Sequence, residues 1–353
     1  MVPNFLFTEL KKREFKEKDR IKGLLEEKQD NIVIITHVNP DGDAIGSSLA
    51  LYRLLSNLGH HATVITPNVY PGFLAWMPGN ESIVVFNNNQ KKASQLLKEA
   101  EIIFSLDFND LKRVKQFDVL VEQSNAYKVL IDHHSDPKDF ASCVCSDTEV
   151  SSTCELLYDF IVELGYEKVI DQEIALCIFT GIMTDTGCFS YNSSNPYTYE
   201  IVKKLLLYGF NKDMAYYNVY DNFSADRMRL LGYVLDKKME VFPEYRTAII
   251  NLTREEQKRY NFSPGDSEGF VNYPLSIKGI RFSVFFIEKE DHVKLSLRSK
   301  GNFAVNEFAR EHFNGGGHFN ASGGEYYATM EDTMAKFRRV LPHYANELND
   351  YEI

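Results

Sequence analysis

A chain of 353 residues is longer than one hydrophobic core usually serves, so two domains are expected. With 44% hydrophobic and 25% charged residues, and no apolar run near the roughly 20 residues that cross a bilayer, the composition describes a globular protein with no membrane partner. The formal charge of −11 lacks the basic face that binding long duplex DNA requires, and residues 236–353 hold 16 Lys+Arg against 18 Asp+Glu, so most of the excess carboxylate lies earlier.

The N-terminus, Met1 to Leu10, is a mixed segment followed by Lys11, Lys12 and Arg13, the reverse of the order in a secretory signal. Residues 8–28 alternate charges with apolar Phe15, Ile21, Leu24 and Leu25, which predicts an exposed helix. The β-branched run Asn31 to Thr36 predicts a strand, followed by a Pro/Gly/Asp turn and a helix from Ala44 to Leu58 that stops at Gly59. The neighbouring His60 and His61 read as a helix exit. Ala62–Thr66, Glu101–Leu106 and Tyr127–Ile131 predict further strands, the last two ending at Asp107 and Asp132. Ser151–Leu164 and Asp171–Met183 predict helices, the second ending at Asp185. Strands alternating with helices give an α/β domain with a mainly parallel sheet flanked by helices, expected over residues 1–200. A helical connection is expected over residues 201–239, within a helical region running from Tyr197 to about Met239. The remainder, residues 240–345, reads as a smaller α+β domain with strands at Thr247–Leu252, Arg281–Glu288 and His292–Arg298 and helices at Val305–His312 and Met330–Val340. Cys143, Cys145, Cys154, Cys177 and Cys188 form no paired C-x-x-C, and five is an odd number for a disulfide framework, so reduced, mostly packed thiols and a cytoplasmic chain are expected.

Acidic and imidazole side chains recur where ligands bind in such sheets, beyond the carboxyl ends of the strands. The motifs are His37-x-x-x-Asp41-x-Asp43, Asp107, Asp132-His133-His134 and Asp185, each read as the end of a buried strand. Taken singly, Asp41-Gly-Asp43 is a turn, and Tyr52 stands where a calcium loop needs Glu. Recurrence changes the reading. Carboxylates so crowded repel one another unless cations separate them, and His with Asp suits Mn²⁺ or a related ion.

These motifs, with Gly315-Gly316-Gly317-His318 near the end, resemble the DHH phosphoesterases that carry a DHHA1 C-terminal domain; the likeness runs from about Asn31 to Val340. The resemblance implies an active site in the cleft between the two domains and two Mn²⁺ ions per subunit, with Mg²⁺ or Co²⁺ as substitutes. His37, Asp41 and Asp107 would hold one ion. Asp43, Asp107, His133 and Asp185 would hold the other, so that Asp107 bridges. Asp132 would orient the histidine pair, and His134 would serve the phosphate as hydrogen-bond or proton donor. A hydroxide between the ions would attack phosphorus. Arg298, Gly316, Gly317 and His318 would bind the distal part of the substrate, with Asn314 to His318 read as a loop of backbone donors. Where many relatives carry Arg after Gly-x-Phe, this chain has Ser190 after Gly187-Cys188-Phe189, and Arg113 is the candidate substitute.

The implied activity is that of a nano-RNase acting on short oligonucleotides and dinucleotides and on 3′-phosphoadenosine 5′-phosphate (pAp). Alternatives are a cyclic-dinucleotide phosphodiesterase, an exopolyphosphatase or pyrophosphatase, and a non-catalytic nucleotide sensor. The residues leave the oligomeric state open, a homodimer included.

Overall fold

The computed structural model describes residues 15–350, which fall into two compact units divided after Asn222. Of the N-terminal helix expected at 8–28, residues 8–14 lie outside the described residues; the rest forms α1, Lys18–Glu26, with Ile21 and Leu25 buried. Among the described residues, no helix is long and apolar enough to cross a membrane.

The first unit runs β1 (Ile32–Ile35), α2 (Gly42–Asn57), β2 (Ala62–Thr66), β3 (Ile83–Val85), α3 (Gln90–Glu99), β4 (Ile102–Leu106), α4 (Asp118–Glu122), β5 (Tyr127–Asp132), β6 (Cys143–Ser146), α5 (Thr153–Glu163), α6 (Gln172–Asp185), α7 (Pro196–Leu206) and α8 (Lys212–Tyr220). Its strands lie in the order β3-β2-β1-β4-β5-β6 and every pairing is parallel. Both faces are covered. Ile32 and Ile34 of β1 join the core made with α2, α5 and α6, while Val33 and Ile35 join a second core with Ala93 and Leu97 of α3. That is why β1 reads as an unbroken apolar run rather than an alternating one. The strand order reverses between β1 and β4, and the crevice at such a reversal is where open α/β sheets bind ligands.

Helix α2 starts at its Asp41 cap, whose Oδ1 accepts from the amides of Asp43 and Ala44 at 3.1 Å each. It stops where Gly59 takes φ +89, and His60 Nδ1 then accepts from the Gln29 amide, so this histidine is part of a structural turn. Helices α2 and α6 run antiparallel and pack at glycine. A Cβ on Gly181 would come within 2.9 Å of Asp43 Oδ1 in α2, besides overlapping Cys154 Sγ in α5, and one on Gly46 would come within 2.8 Å of the Cys177 carbonyl. Of the five cysteines, all free thiols, Cys143, Cys145, Cys154 and Cys177 are buried.

The second unit runs α9 (Ala225–Lys237), β7 (Glu240–Phe242), β8 (Thr247–Leu252), α10 (Arg254–Arg259), β9 (Phe282–Glu288), β10 (Val293–Ser299), α11 (Val305–His312), β11 (Gly316–His318), β12 (Ala321–Tyr326), α12 (Met330–Val340) and α13 (Ala345–Asn349). The sheet order is β11-β12-β10-β9-β8-β7, antiparallel except for β8 and β9. Strand β10 alternates, burying Val293, Leu295 and Leu297 beneath α11 and α12 and leaving Lys294, Ser296 and Arg298 half-buried on the other face. The helical stretch expected as a connection is shared out: α7 and α8 pack into the first unit's core, and α9 packs on β8 and β9 of the second.

Candidate metal centre

The three neighbouring strands β1, β4 and β5 each deliver a motif at the carboxyl end: His37, Asp107 and Asp132-His133-His134. The fourth motif, Asp185, closes helix α6, as the helix expected over Asp171–Met183 implies, and so does not end a strand as the other three motifs do. The antiparallel packing of α2 and α6 brings that end beside the start of α2. Asp107 takes φ +67, a left-handed conformation costly to a residue with a Cβ and typical of functional sites.

Within the first unit, three groups of side chains lie close enough to share a cation: His37, Asp41 and Asp107; Asp43, Asp107 and His133; Asp107, Asp132 and His134. Asp107 belongs to all three. Its Oδ2 lies 3.3 Å from His37 Nε2, and its Oδ1 lies 3.6 Å from His133 Nε2 and 3.8 Å from His134 Nδ1. His133 Nε2 is also 3.6 Å from Asp185 Oδ2 and 3.9 Å from Asp43 Oδ2. All but Asp41 and Asp185 are buried.

The donor chemistry fits a cation. His37 Nδ1 lies 2.9 Å from the Val38 carbonyl, which takes the single N–H of a neutral imidazole. The Nε2 lone pair then faces the Asp107 carboxylate, and this buried nitrogen has no hydrogen bond. Two acceptors facing each other require a positive charge between them. Left to the protein's own charges, burial and Arg113 push the His37 pKa down, but Asp107 and Asp41 prevail and raise it. Burial, then Asp107 and Asp41, push Asp43 well above the usual carboxylate range. Burial and Asp107 push Asp132 up to about 7. Burial would raise Asp107 as well, yet the neighbouring His37, with the charges of His134 and His133, holds it well below that range. For His133, burial lowers the pKa and keeps the ring neutral, the form that ligates.

Asp132 was expected to orient both histidines, but it takes hold of His134: Oδ1 lies 2.7 Å from Nδ1 and Oδ2 accepts the His134 amide at 3.1 Å. His133 is tied instead to the Val150 backbone. Arg113 lies beside the cluster. Its carbonyl accepts from the Val38 amide at 2.7 Å, and its charge acts on His37, Asp132 and His133. Ser190 is exposed and follows three consecutive left-handed residues, Gly187, Cys188 and Phe189.

Sequence reasoning missed the start of α5. Thr153 Oγ1 donates to Asp107 Oδ1 at 3.0 Å, and the amides of Thr153 and Cys154 donate to Asp43 at 2.6 and 2.9 Å. The signal available was Ser152-x-x-Glu155, which marks a helix start but says nothing of what the start faces.

In the second unit, the expected loop at Asn314 to His318 is in part strand β11, paired with β12. Gly317 has φ +137 and its Cβ would come within 2.8 Å of the Ala321 carbonyl, so strand packing by itself demands glycine there. Gly316 faces open space. Register places His318, Ala321 and Arg298 in one row and Gly316, Gly323 and Ser296 in the next row on the same face, so Arg298 stands near a floor without bulk. Arg298 Nη1 donates to the Leu297 carbonyl at 2.9 Å, and Nε is buried without a partner.

Family models match the chain in two places: the DHH family, N-terminal domain, over residues 31–182, and the DHHA1 domain over residues 248–347. The bifunctional oligoribonuclease and PAP phosphatase NrnA of Thermus thermophilus is 31% identical over 323 residues, covering 90% of each chain. Its namesake from Bacillus subtilis is 26% identical over 305 residues, 86% of this chain and 91% of that one. The crystal structure of an exopolyphosphatase-related protein from Bacteroides fragilis superposes with a TM-score of 0.90 at 47% identity, covering 95% of this chain and 98% of that one. RecJ of Thermus thermophilus in complex with Mn²⁺ shares the fold, with a TM-score of 0.57 at 15% identity over 95% of this chain and 55% of that one.

Proposed function

Because the chain belongs to the DHH family and carries a DHHA1 domain, we propose that it hydrolyses short oligoribonucleotides and pAp, with Mn²⁺ as its metal. It is a metal-dependent phosphoesterase. The observation that carries the reading is the place of Asp107 in three overlapping ligand groups, with one oxygen toward His37 and the other toward His133. A carboxylate so placed suits two ions, not one.

In this reading His37, Asp41 and Asp107 hold one ion and Asp43, Asp107, His133 and Asp185 hold the other. Bound divalent ions would neutralise charge on the phosphoryl oxygens and acidify an attacking water. The chain's own part is to bind and orient. Asp132 fixes His134 through Nδ1, so that the protonated ring can donate from Nε2 to a phosphoryl oxygen. Arg113 adds positive charge beside the cluster and stands in for the arginine that Ser190 replaces. Arg298, His318 and the backbone at Gly316 and Gly317 take the distal phosphate or nucleoside; the unpartnered Arg298 Nε supports that role. The naming of the Thermus thermophilus and Bacillus subtilis relatives supports short oligoribonucleotides and pAp over other esters. A second reading, phosphate release from inorganic polyphosphate, is favoured by the description of the Bacteroides fragilis protein. The small-residue row beside Arg298 supports the first.

The test is product release with Mn²⁺ from pAp, a linear dinucleotide, a cyclic dinucleotide, a long single strand and polyphosphate, with Asp107→Ala as control. Turnover of pAp and the dinucleotide, lost in the variant, is the expected result. Polyphosphate as the only substrate would replace the first reading with the second. Equal turnover per end on the dinucleotide and the long strand would sink the preference for short substrates. Two bound metals without turnover of anything would point to a sensor.

A further inference from the structure

We infer that Thr153 is a positioning residue of the metal centre: its hydroxyl fixes the rotation of the Asp107 carboxylate while its amide, with that of Cys154, fixes Asp43. This rests on the reading of the cluster as a metal centre. Thr153 is fully buried at the first position of α5. An ionised carboxylate only accepts, so the 3.0 Å contact between Thr153 Oγ1 and Asp107 Oδ1 is donated by the hydroxyl. Rotation about the last bond of an aspartate is soft. The two oxygens of Asp107 therefore keep their separate directions, Oδ2 toward His37 and Oδ1 toward His133, only if one of them is pinned. The hydroxyl occupies one lone pair of Oδ1 and leaves the other for the side of His133. The Thr153 amide and that of the next residue, Cys154, each take a different oxygen of Asp43, at 2.6 and 2.9 Å. One short segment thus sets both carboxylates that the His133 group contains.

The hydroxyl is not needed to start the helix. Ser152 caps α5 by accepting from the Glu155 amide at 3.1 Å, and the Glu155 carboxylate is held by Ser151 and Thr198. Folding and positioning are therefore separable at this residue. Outer groups that orient metal ligands typically change metal affinity by about 10–100-fold when removed.

The experiment compares full-length wild type, Thr153→Val and Thr153→Ser. It measures Mn²⁺ binding by titration calorimetry, melting after chelator treatment, and kcat and KM for pAp. The valine variant should lose roughly tenfold or more in affinity for at least one Mn²⁺. Its metal-free melting temperature should stay within about 2 °C of wild type. Its kcat should fall with KM little changed, and serine should restore both affinity and kcat. Wild-type Mn²⁺ affinity in the valine variant overturns the inference. So does a metal-free melting temperature that drops in step with the lost affinity and is not rescued by serine, since that marks a structural role. Wild-type protein that binds no Mn²⁺ at all overturns the metal-centre reading itself, and this inference with it.

Discussion

His37 carries the plainest chemical demand in the molecule, a buried lone pair aimed at a carboxylate. Its neighbours were readable from residue type alone, because histidine and aspartate at strand ends have few other uses when they recur. What residue type could not say is which partner each side chain chooses. Asp132 turned out to hold His134 through both the ring and the amide, while the Val150 backbone took His133. This separation predicts a variant with a split phenotype. His134→Asn should lower kcat by roughly 10²–10⁴-fold, the usual worth of a positioned acid or base. Mn²⁺ affinity should remain near wild type, because His133 and not His134 stands among Asp43, Asp107 and Asp185. Steady-state kinetics with calorimetry on the same sample would check both halves, and a loss of metal with unchanged kcat at saturating Mn²⁺ would reverse the assignment.

At the scale of elements, the site depends on how closely α2 and α6 approach. Both helices could be read from the sequence, and α6 closes where expected, at Asp185. Their contact could not, since glycine at Gly42, Gly46 and Gly181 costs an isolated helix stability and gives no hint of a partner. A Cβ at Gly181 would overlap Cys154 Sγ and come within 2.9 Å of Asp43 Oδ1. Gly181→Ala should therefore destabilise the fold by about 1–3 kcal/mol through overpacking. It should also weaken Mn²⁺ binding, because the atoms displaced include a ligand. Urea unfolding of the metal-free protein reads the first effect and metal titration the second. In the other unit, α10 offers a pH test. Burial pushes Glu256 up, but Lys238 at 2.8 Å, the Tyr233 hydroxyl and the Thr253 cap hold its pKa at about 2. A carboxyl depressed on folding contributes stability that is present above its unfolded value, near 4.5, and is lost as pH falls toward 2. Glu256→Gln should accordingly flatten the loss of stability between about pH 5 and 2. Urea midpoints across that range would show it, and an unchanged slope would count against the assignment.

For the whole molecule, the carboxylates gathered by the first unit make its stability a function of metal. At a free Mn²⁺ concentration of about 100 times Kd, each site should stabilise by ~2.7 kcal/mol. That corresponds to a rise of roughly 5–10 °C in the melting of a unit this size. Trp76, the single tryptophan, lies in the first unit and makes its fluorescence the natural probe. Mn²⁺ should raise the melting temperature it reports, and Asp107→Ala should abolish the rise. Fold class, the parallel sheet, the two-unit organisation and the ligand types followed from the sequence by itself, because both faces of the sheet are buried and its strands are legible as apolar runs. The short edge strands β3, β6 and β7 and the glycine-rich β11 and β12 were not legible, since three or four residues, or glycine, carry little pattern of their own. Tertiary structure alone decided how close the end of α6 comes to the start of α2, and that Thr153 reaches Asp107. Those are distances between residues far apart in the chain, and they exist only once α2, α5 and α6 have packed against the sheet.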